Sequence, residues 1–300
     1  MKSFKDKVAL ITGAAHGFGR SLAIEAANRG MKLALADVDE SGLEKTFYDV
    51  KNLGAEAISI PTDVTDEAAV DKMVKQTMSK YNEINLLINS AGIAIPGPIW
   101  ELPTRDWEWI LHADLMSQVW SLKRVIPIMR KQKGHGDILN VASMAGLITS
   151  PLMPAYYATK FAVVGMTEAV EYDLQAAHAN VGLHVFCPAF VQTDLYHTEK
   201  HRPEKYTDNS DPYYSSETFK EGQKQAKIDI TTGMPIDNIP KIIFKALEDD
   251  KFYILTHPGM NPAIVARANN IPSGKGPDLA ALAPFMAETH EVEGDNKDER

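Results

Sequence analysis

The first apolar run, Val8-Ala9-Leu10-Ile11, contains no polar position, and a short run of that kind predicts a strand buried on both faces. Beyond three glycines the pattern becomes helical from Arg20 to Arg29 and stops at Gly30. The two patterns then alternate. Met31 to Ala36 predicts a second strand, Ser41 to Leu53 a helix closed by Gly54, and Ala57 to Ile60 a third strand. Val70 to Tyr81, with Thr65 or Asp66 as the N-cap, predicts a helix, and Ile84 to Ile88 a fourth strand. Thr104 to Lys131 reads as one long amphipathic helix. Trp107, Ile110, Leu111, Leu115, Val119, Leu122, Ile126 and Met129 form its stripe, and a bend is expected at Pro127. Trp109 and Trp120 fall outside that stripe and are expected at a subunit contact. Ile138 to Val141 is a fifth strand, Pro154 to Ala177 a helix, and a further strand ends at Cys187. Ile236 to Leu247 predicts a helix and Phe252 to Leu255 the last strand.

Strands alternating with helices through short connections predict an α/β fold: a doubly wound parallel sheet of Rossmann type, a single domain over residues 1–256. One stretch breaks the rhythm. Residues 194–233 are long, polar and rich in aromatics (Tyr196, Tyr206, Tyr213, Tyr214, Phe219), the pattern of a lid over a binding site. A C-terminal extension follows over residues 257–300. Short helices are expected from Asn261 to Asn269, with Asn261 as N-cap, and from Asp278 to Met286. Residues 288–300 have almost no apolar content and are expected to be disordered.

Composition narrows the class. The 31 basic and 40 acidic residues give a net charge of −9 without a basic stripe, which argues against nucleic acid. No apolar run approaches a membrane span. The single cysteine, Cys187, excludes an internal disulfide and fits a reducing compartment. With a strand beginning by Lys7, a signal segment is not expected, and the location expected is cytoplasmic. The nine histidines show no metal spacing; His197 and His201 are four apart but lack a third ligand, so no metal is expected.

Several residues carry candidate chemistry. Gly13, Gly17 and Gly19 stand between a strand and a helix, where free N–H groups and the helix dipole suit a diphosphate. Their spacing, Gly-x-x-x-Gly-x-Gly, is not the commoner dinucleotide one, and a plain tight turn explains it as well. Asp37 ends the second strand 18 residues after Gly19, where an acid can accept both hydroxyls of an adenosine ribose. Its bland alternative, a helix N-cap, can be supplied by Asp39. Asn89, Ala91 and Gly92 close the fourth strand with residues small enough for a cofactor to approach. Tyr156 and Lys160 lie one helical turn apart, 13 residues after Ser143 ends a strand.

In this order and spacing the chain resembles the short-chain dehydrogenase/reductase family over roughly residues 5 to 256. The carrying elements are Thr12-Gly13-x-x-x-Gly17-x-Gly19, Asp37, Asp63, Asn89-x-Ala91-Gly92, Ser143, Tyr156-x-x-x-Lys160 and Pro188-x-x-Val191-x-Thr193. The resemblance implies NAD binding along Gly13, His16, Gly17, Phe18 and Gly19, with Asp63 and Val64 at the adenine. It places Pro188, Val191 and Thr193 at the nicotinamide amide. Ser143, Tyr156 and Lys160 carry the chemistry, Tyr156 as proton acceptor with its pKa lowered by Lys160 and the positive nicotinamide ring. NAD is expected over NADP because Asp37 repels a 2′-phosphate; the neutrality of His16 makes it a poor phosphate partner. The family also implies a lid over the substrate and a homodimer or homotetramer, joined through the two long helices.

The chain departs from the family pattern at Ser90 and Ala189, both small, and at Asp114, which takes the position of a catalytic asparagine 29 residues before Ser143. The substrate expected is a medium-to-large, substantially apolar alcohol or ketone, met by Met144, Phe190 and Tyr196. A different reading is a low-turnover NAD(H)-binding sensor or scaffold, its proton relay altered at Asp114.

Overall fold

Alternate residues of the first strand, β1 (Val8–Thr12), enter two separate cores. Ala9 and Ile11 pack on one side of the sheet with Leu22, Leu43 and Phe244, while Leu10 packs on the other with Met73, Val125 and Leu174. β2 (Lys32–Asp37) divides in the same way, Leu33 and Leu35 against Ala34 and Ala36. Burial on both faces is why these strands read as unbroken apolar runs. The computed structural model describes residues 3–282.

The remaining strands are β3 (Ala57–Pro61), β4 (Leu86–Asn89), β5 (Gly136–Val141), β6 (Val181–Cys187) and β7 (Tyr253–Leu255). All seven are parallel, in the order β3-β2-β1-β4-β5-β6-β7. One face carries α1 (Gly17–Asn28), α2 (Glu40–Asn52) and α8 (Ile239–Glu248). The other carries α3 (Glu67–Tyr81), α5 (Ser117–Met129) and α6 (Pro154–Ala176). The chain reverses direction across the sheet between β1 and β4, and the carboxyl ends there open a crevice. Thr12 fixes its floor, its Oγ1 accepting from the N–H groups of Ser90 (3.1 Å) and Ala91 (3.3 Å).

Two expectations need correction. The long helix is interrupted: α4 (Thr104–Ile110) passes into a π-helical turn, Leu111–Met116, before α5, and α5 runs on through Pro127. The break is therefore at Asp114 and not at the proline. Trp109 and Trp120 are both buried within this chain, Trp109 under the lid and Trp120 against α3, because the π-turn re-registers the two halves of the helix. The lid is largely helical, with short 3₁₀ turns from Leu195 to His201, Glu204 to Tyr206 and Pro212 to Ser215, then α7 (Glu217–Thr231). Ser216 caps α7 by accepting from the Phe219 N–H at 3.1 Å. The polar face of α7 hid its period in the sequence.

Smaller shifts concern helix starts. α1 begins at Gly17, a turn before the apolar pattern. Asp66 is the N-cap of α3, accepting from Ala68 N–H at 2.9 Å. In the extension, α9 (Asn261–Asn270) starts at Asn261 itself, with Met260 in the N-cap place. Asp278 caps the start of a further turn, and the expectations for residues 283–300 lie outside the described residues. Among the described residues no helix is long and apolar enough to cross a membrane.

Candidate active site

A cavity of about 200 Å³ runs along the crevice from Asp37 and Val38, past Gly13 to Phe18, to Ser143, Tyr156 and Lys160. Its adenosine-side end is built by backbone constraint. Gly13 has φ +67°, and a Cβ there would lie 2.8 Å from Ala91 N; a Cβ on Gly19 would lie 2.0 Å from the Gly13 carbonyl oxygen. The turn is thus tight enough to bring the start of α1 to the cavity. Asp37 Oδ2 accepts from the Ala15 N–H and Oδ1 from the Asp39 N–H, both at 2.9 Å, which fixes the carboxylate at the end of β2. Asp39 stands at the N-cap position of α2 without capping it. Its Oδ2 holds His16 Nε2 at 2.6 Å, and the other ring nitrogen lies 3.2 Å from Asp194 at the lid entrance. His16 therefore joins the glycine turn to the lid.

Asp63 accepts from the N–H (2.9 Å) and hydroxyl (2.6 Å) of Thr65 and lies 3.5 Å from Lys205 of the lid. Val64, Ala91, Gly92, Pro188, Val191 and Thr193 line the same cavity. Asn89 lies below it, donating to Asn140 Oδ1 at 2.9 Å, and Asn140 donates to Thr167 at 3.0 Å. That ladder ties β4, β5 and α6 together beneath the reacting groups.

Ser143 follows β5; its Oγ donates to the Pro188 carbonyl at 3.3 Å and accepts from the Ala145 N–H at 3.1 Å. Pro154 at the first turn of α6 starts the helix that carries Tyr156 and Lys160. Lys160 Nζ lies 5.3 Å from the centre of the Tyr156 ring and 3.0 Å from Asp114 Oδ2. Asp114 Oδ1 accepts from the Ile93 N–H at 2.8 Å. The lysine and the aspartate form a wholly buried ion pair.

This pairing sets the electrostatics. Burial, the largest influence, raises the Asp114 carboxyl, against the pull of Lys160. Burial also works against the Lys160 ammonium, but Asp114 and Tyr156 outweigh it and hold the lysine above its ordinary value. Among the protein's own groups, burial first and then the Asp114 charge hold Tyr156 above its ordinary value, while Lys160 and Ser143 pull the other way. The thiol of Cys187 is pushed up to about 12 by burial and is inert.

The residues expected at the substrate lie elsewhere around the cavity. Met144 packs with Ile148, Met260 and Ala263 under the extension. Phe190 lies between the lining residues Ala189 and Val191, and its carbonyl pairs with Met234 N–H at 2.9 Å. Tyr196 lines a separate outer depression with His16, Thr193 and Asp194. The walls beside Ser143 and Tyr156 come from Ile93, Trp109 and Ala113, and from Leu195, Thr198, Pro203 and Ile230 of the lid.

A lid clamp was missed in the sequence. Arg202 pairs with buried Asp106 of α4 and bidentately with Glu199 (2.8 Å twice), and its guanidinium lies 4.3 Å from the Trp109 ring. The partners stand 96 residues apart, and no local pattern links them.

The family model described as short chain dehydrogenase matches residues 7–204. The chain is a short-chain dehydrogenase/reductase. A relative from Lactiplantibacillus plantarum, a CLA biosynthesis dehydrogenase/reductase, is 60% identical over 286 residues, covering 95% of this chain and all of the relative. Human estradiol 17-beta-dehydrogenase 11 is 32% identical over 193 residues, 64% of each chain. Among solved structures, a short-chain dehydrogenase/reductase from Burkholderia phymatum in complex with NAD superposes with a TM-score of 0.89. It is 35% identical, covering 93% of this chain and 98% of that one. As a member of this family the protein is an oxidoreductase, and the tight glycine turn, the Asp37 carboxylate and the continuous cavity fit a dinucleotide.

Proposed function

We propose that this protein interconverts a medium-to-large, substantially apolar secondary alcohol and its ketone, or an alcohol and its aldehyde, with NAD. The observation that carries the reading is one cavity holding Asp37 at one end and Ser143, Tyr156 and Lys160 at the other. Bound along it, NAD supplies a hydride acceptor for alcohol oxidation and, when reduced, a donor for the reverse. Gly13 to Gly19 and the start of α1 receive the diphosphate, Asp37 the adenosine ribose, and Asp63 and Val64 the adenine. Pro188, Val191 and Thr193 receive the nicotinamide amide.

Tyr156 takes the substrate hydroxyl proton as general base. Ser143 turns its long bond from Pro188 toward the substrate oxygen and holds it beside the phenol. Lys160 keeps a positive charge next to the developing phenolate, and Asp114 holds that lysine in place. NAD is favoured over NADP because Asp37 opposes a 2′-phosphate, and His16, the nearest base, is already engaged by Asp39 and Asp194. The apolar walls of Ile93, Trp109, Leu195 and Ile230 favour an apolar substrate around the reacting carbon.

The Asp114–Lys160 pair favours a second reading, slow turnover with NADH retention. One experiment separates them: absorbance at the reduced nicotinamide band, with a panel of short and long secondary alcohols and with NAD and NADP. NAD-linked turnover that improves with chain length supports the dehydrogenase. Tight NADH binding without turnover on any alcohol or ketone supports the sensor.

A further inference from the structure

β7 lies beside β6 in a register that sets Leu255 opposite Cys187, so both strands leave the sheet together and His257 arrives beside Ala189. The imidazole is buried, and its Nδ1 accepts from the Ala189 N–H at 3.2 Å and from the Thr256 hydroxyl at 3.0 Å. We propose that His257, the first residue of the extension, is a positioning residue for the reaction. It orients the Pro188–Ala189 peptide group, and through it the hydroxyl of Ser143 and the loop that receives the nicotinamide amide, an inference that rests on the NAD reading of that loop.

One peptide group is held from both sides. Its carbonyl, on Pro188, accepts from the Met144 N–H at 2.8 Å and from Ser143 Oγ at 3.3 Å. Its N–H, on Ala189, points the opposite way, to His257. A planar trans group bonded at both ends has a fixed orientation, so the imidazole on one side sets where Ser143 finds its acceptor on the other. Ala189 packs against Met144, Met260 and Ala263, whose side chains hold no oxygen to replace the ring. Without His257 the N–H loses its acceptor, and the peptide is free to turn away from Ser143.

The same bond decides the tautomer. A backbone N–H only donates, so Nδ1 presents its lone pair and the ring hydrogen sits on Nε2. An imidazolium would set donor against donor. Burial, the larger influence, holds the His257 imidazole below its ordinary value against a backbone bond to Phe190, so the ring is neutral at neutral pH. His257 lies beyond residues 7–204, the segment that the family model matches. The turn and helix after it place Met260 and Ala263 on Met144 and Ile148, directly after Ser143. The extension thus braces the serine turn by packing and the nicotinamide loop by the imidazole.

The test compares the affinity of the full chain for NADH and for ADP-ribose, which lacks the nicotinamide. His257→Leu should weaken NADH about tenfold and leave ADP-ribose within about twofold. His257→Asn, whose Oδ1 can take the place of Nδ1, should bring NADH back to within about threefold of wild type. Without ligand, the Ala189 amide should exchange its hydrogen about a hundredfold more slowly than an open loop amide, by residue-resolved NMR, in wild type and His257→Asn. That protection should vanish in His257→Leu. The proposal is overturned if His257→Leu weakens both ligands alike or neither, or if His257→Asn behaves as His257→Leu does. Free exchange of the wild-type Ala189 amide overturns it too, even where the leucine variant fails to fold. A wild type that binds ADP-ribose but no NADH would overturn the NAD reading of the loop, and this proposal with it.

Discussion

Replacing Asp114 by asparagine removes one negative charge from a buried site while keeping an oxygen for the Ile93 N–H. Asp114 Oδ2 lies 3.0 Å from Lys160 Nζ, and that nitrogen lies 5.3 Å from the Tyr156 ring centre, so the carboxylate stands at most ~8 Å from the ring. At that separation and an effective dielectric near ~20, two unit charges repel by about 2 kcal/mol. That corresponds to ~1.5 pK units on the phenol, and relaxation around the pair brings the expected shift nearer to about one unit. Removing a like charge favours the phenolate, so the Tyr156 pKa falls. In Asp114→Asn, the limb of the kcat profile for alcohol oxidation that rises with pH should therefore move to lower pH by about one unit. The wild type should show an alkaline optimum. The assay is kcat at saturating substrate from pH 6 to 11, with Tm recorded in parallel, since an unpaired buried ammonium costs about 3 kcal/mol or more. A limb that stays in place in a folded variant would show that Asp114 does not act on Tyr156 through charge.

Tyr156→Phe should lose nearly all turnover while NADH binding, followed by fluorescence, stays close to wild type; retention of about a tenth of the rate would remove Tyr156 as the base. Lys160→Ala should damage both turnover and NADH binding. Asp37→Ser should narrow the preference for NAD over NADP by roughly thirtyfold in kcat/KM, about 2 kcal/mol, and equal efficiency of the wild type with both cofactors would refute the role of Asp37. Asp106→Asn loosens Arg202 and with it the lid wall at Trp109, so KM for the alcohol should rise about tenfold while the NAD Kd is unchanged. Self-association through α5 and α6, where Tyr172 is 72% exposed, should give a dimer or tetramer by light scattering at micromolar concentration; a monomer would refute it.

The sheet and its helices were legible because each strand buries both faces and therefore spells an apolar run, as at Leu33 to Ala36. The residues around the cavity were legible because glycine turns, Asp37 and the Tyr156–Lys160 pair are fixed by short-range spacing. What escaped depends on pairs distant in the chain. The Arg202–Asp106 clamp has no periodicity, and Trp109 looks misplaced until the π-turn at Asp114 shifts the register beneath it. Spacing likewise reveals Lys160 beside Tyr156 but not the burial that opposes it.

The π-turn at Leu111–Met116 separates two sets of obligations along one helix. Above it, Trp109 and Ile110 belong to the lid with Tyr206 and Tyr213; below it, Trp120, Leu122 and Val125 belong to the sheet. Each residue of an α-helix turns the axis by about 100°, so a single insertion re-aims everything on one side of it. Loss of one residue here would restore regular winding and swing Asp106 and Trp109 away from the lid, with the sheet's own contacts untouched. The turn thus acts as a swivel: the contacts of Trp109 and Ile110 with the lid can change while those of Trp120, Leu122 and Val125 with the sheet stay in place.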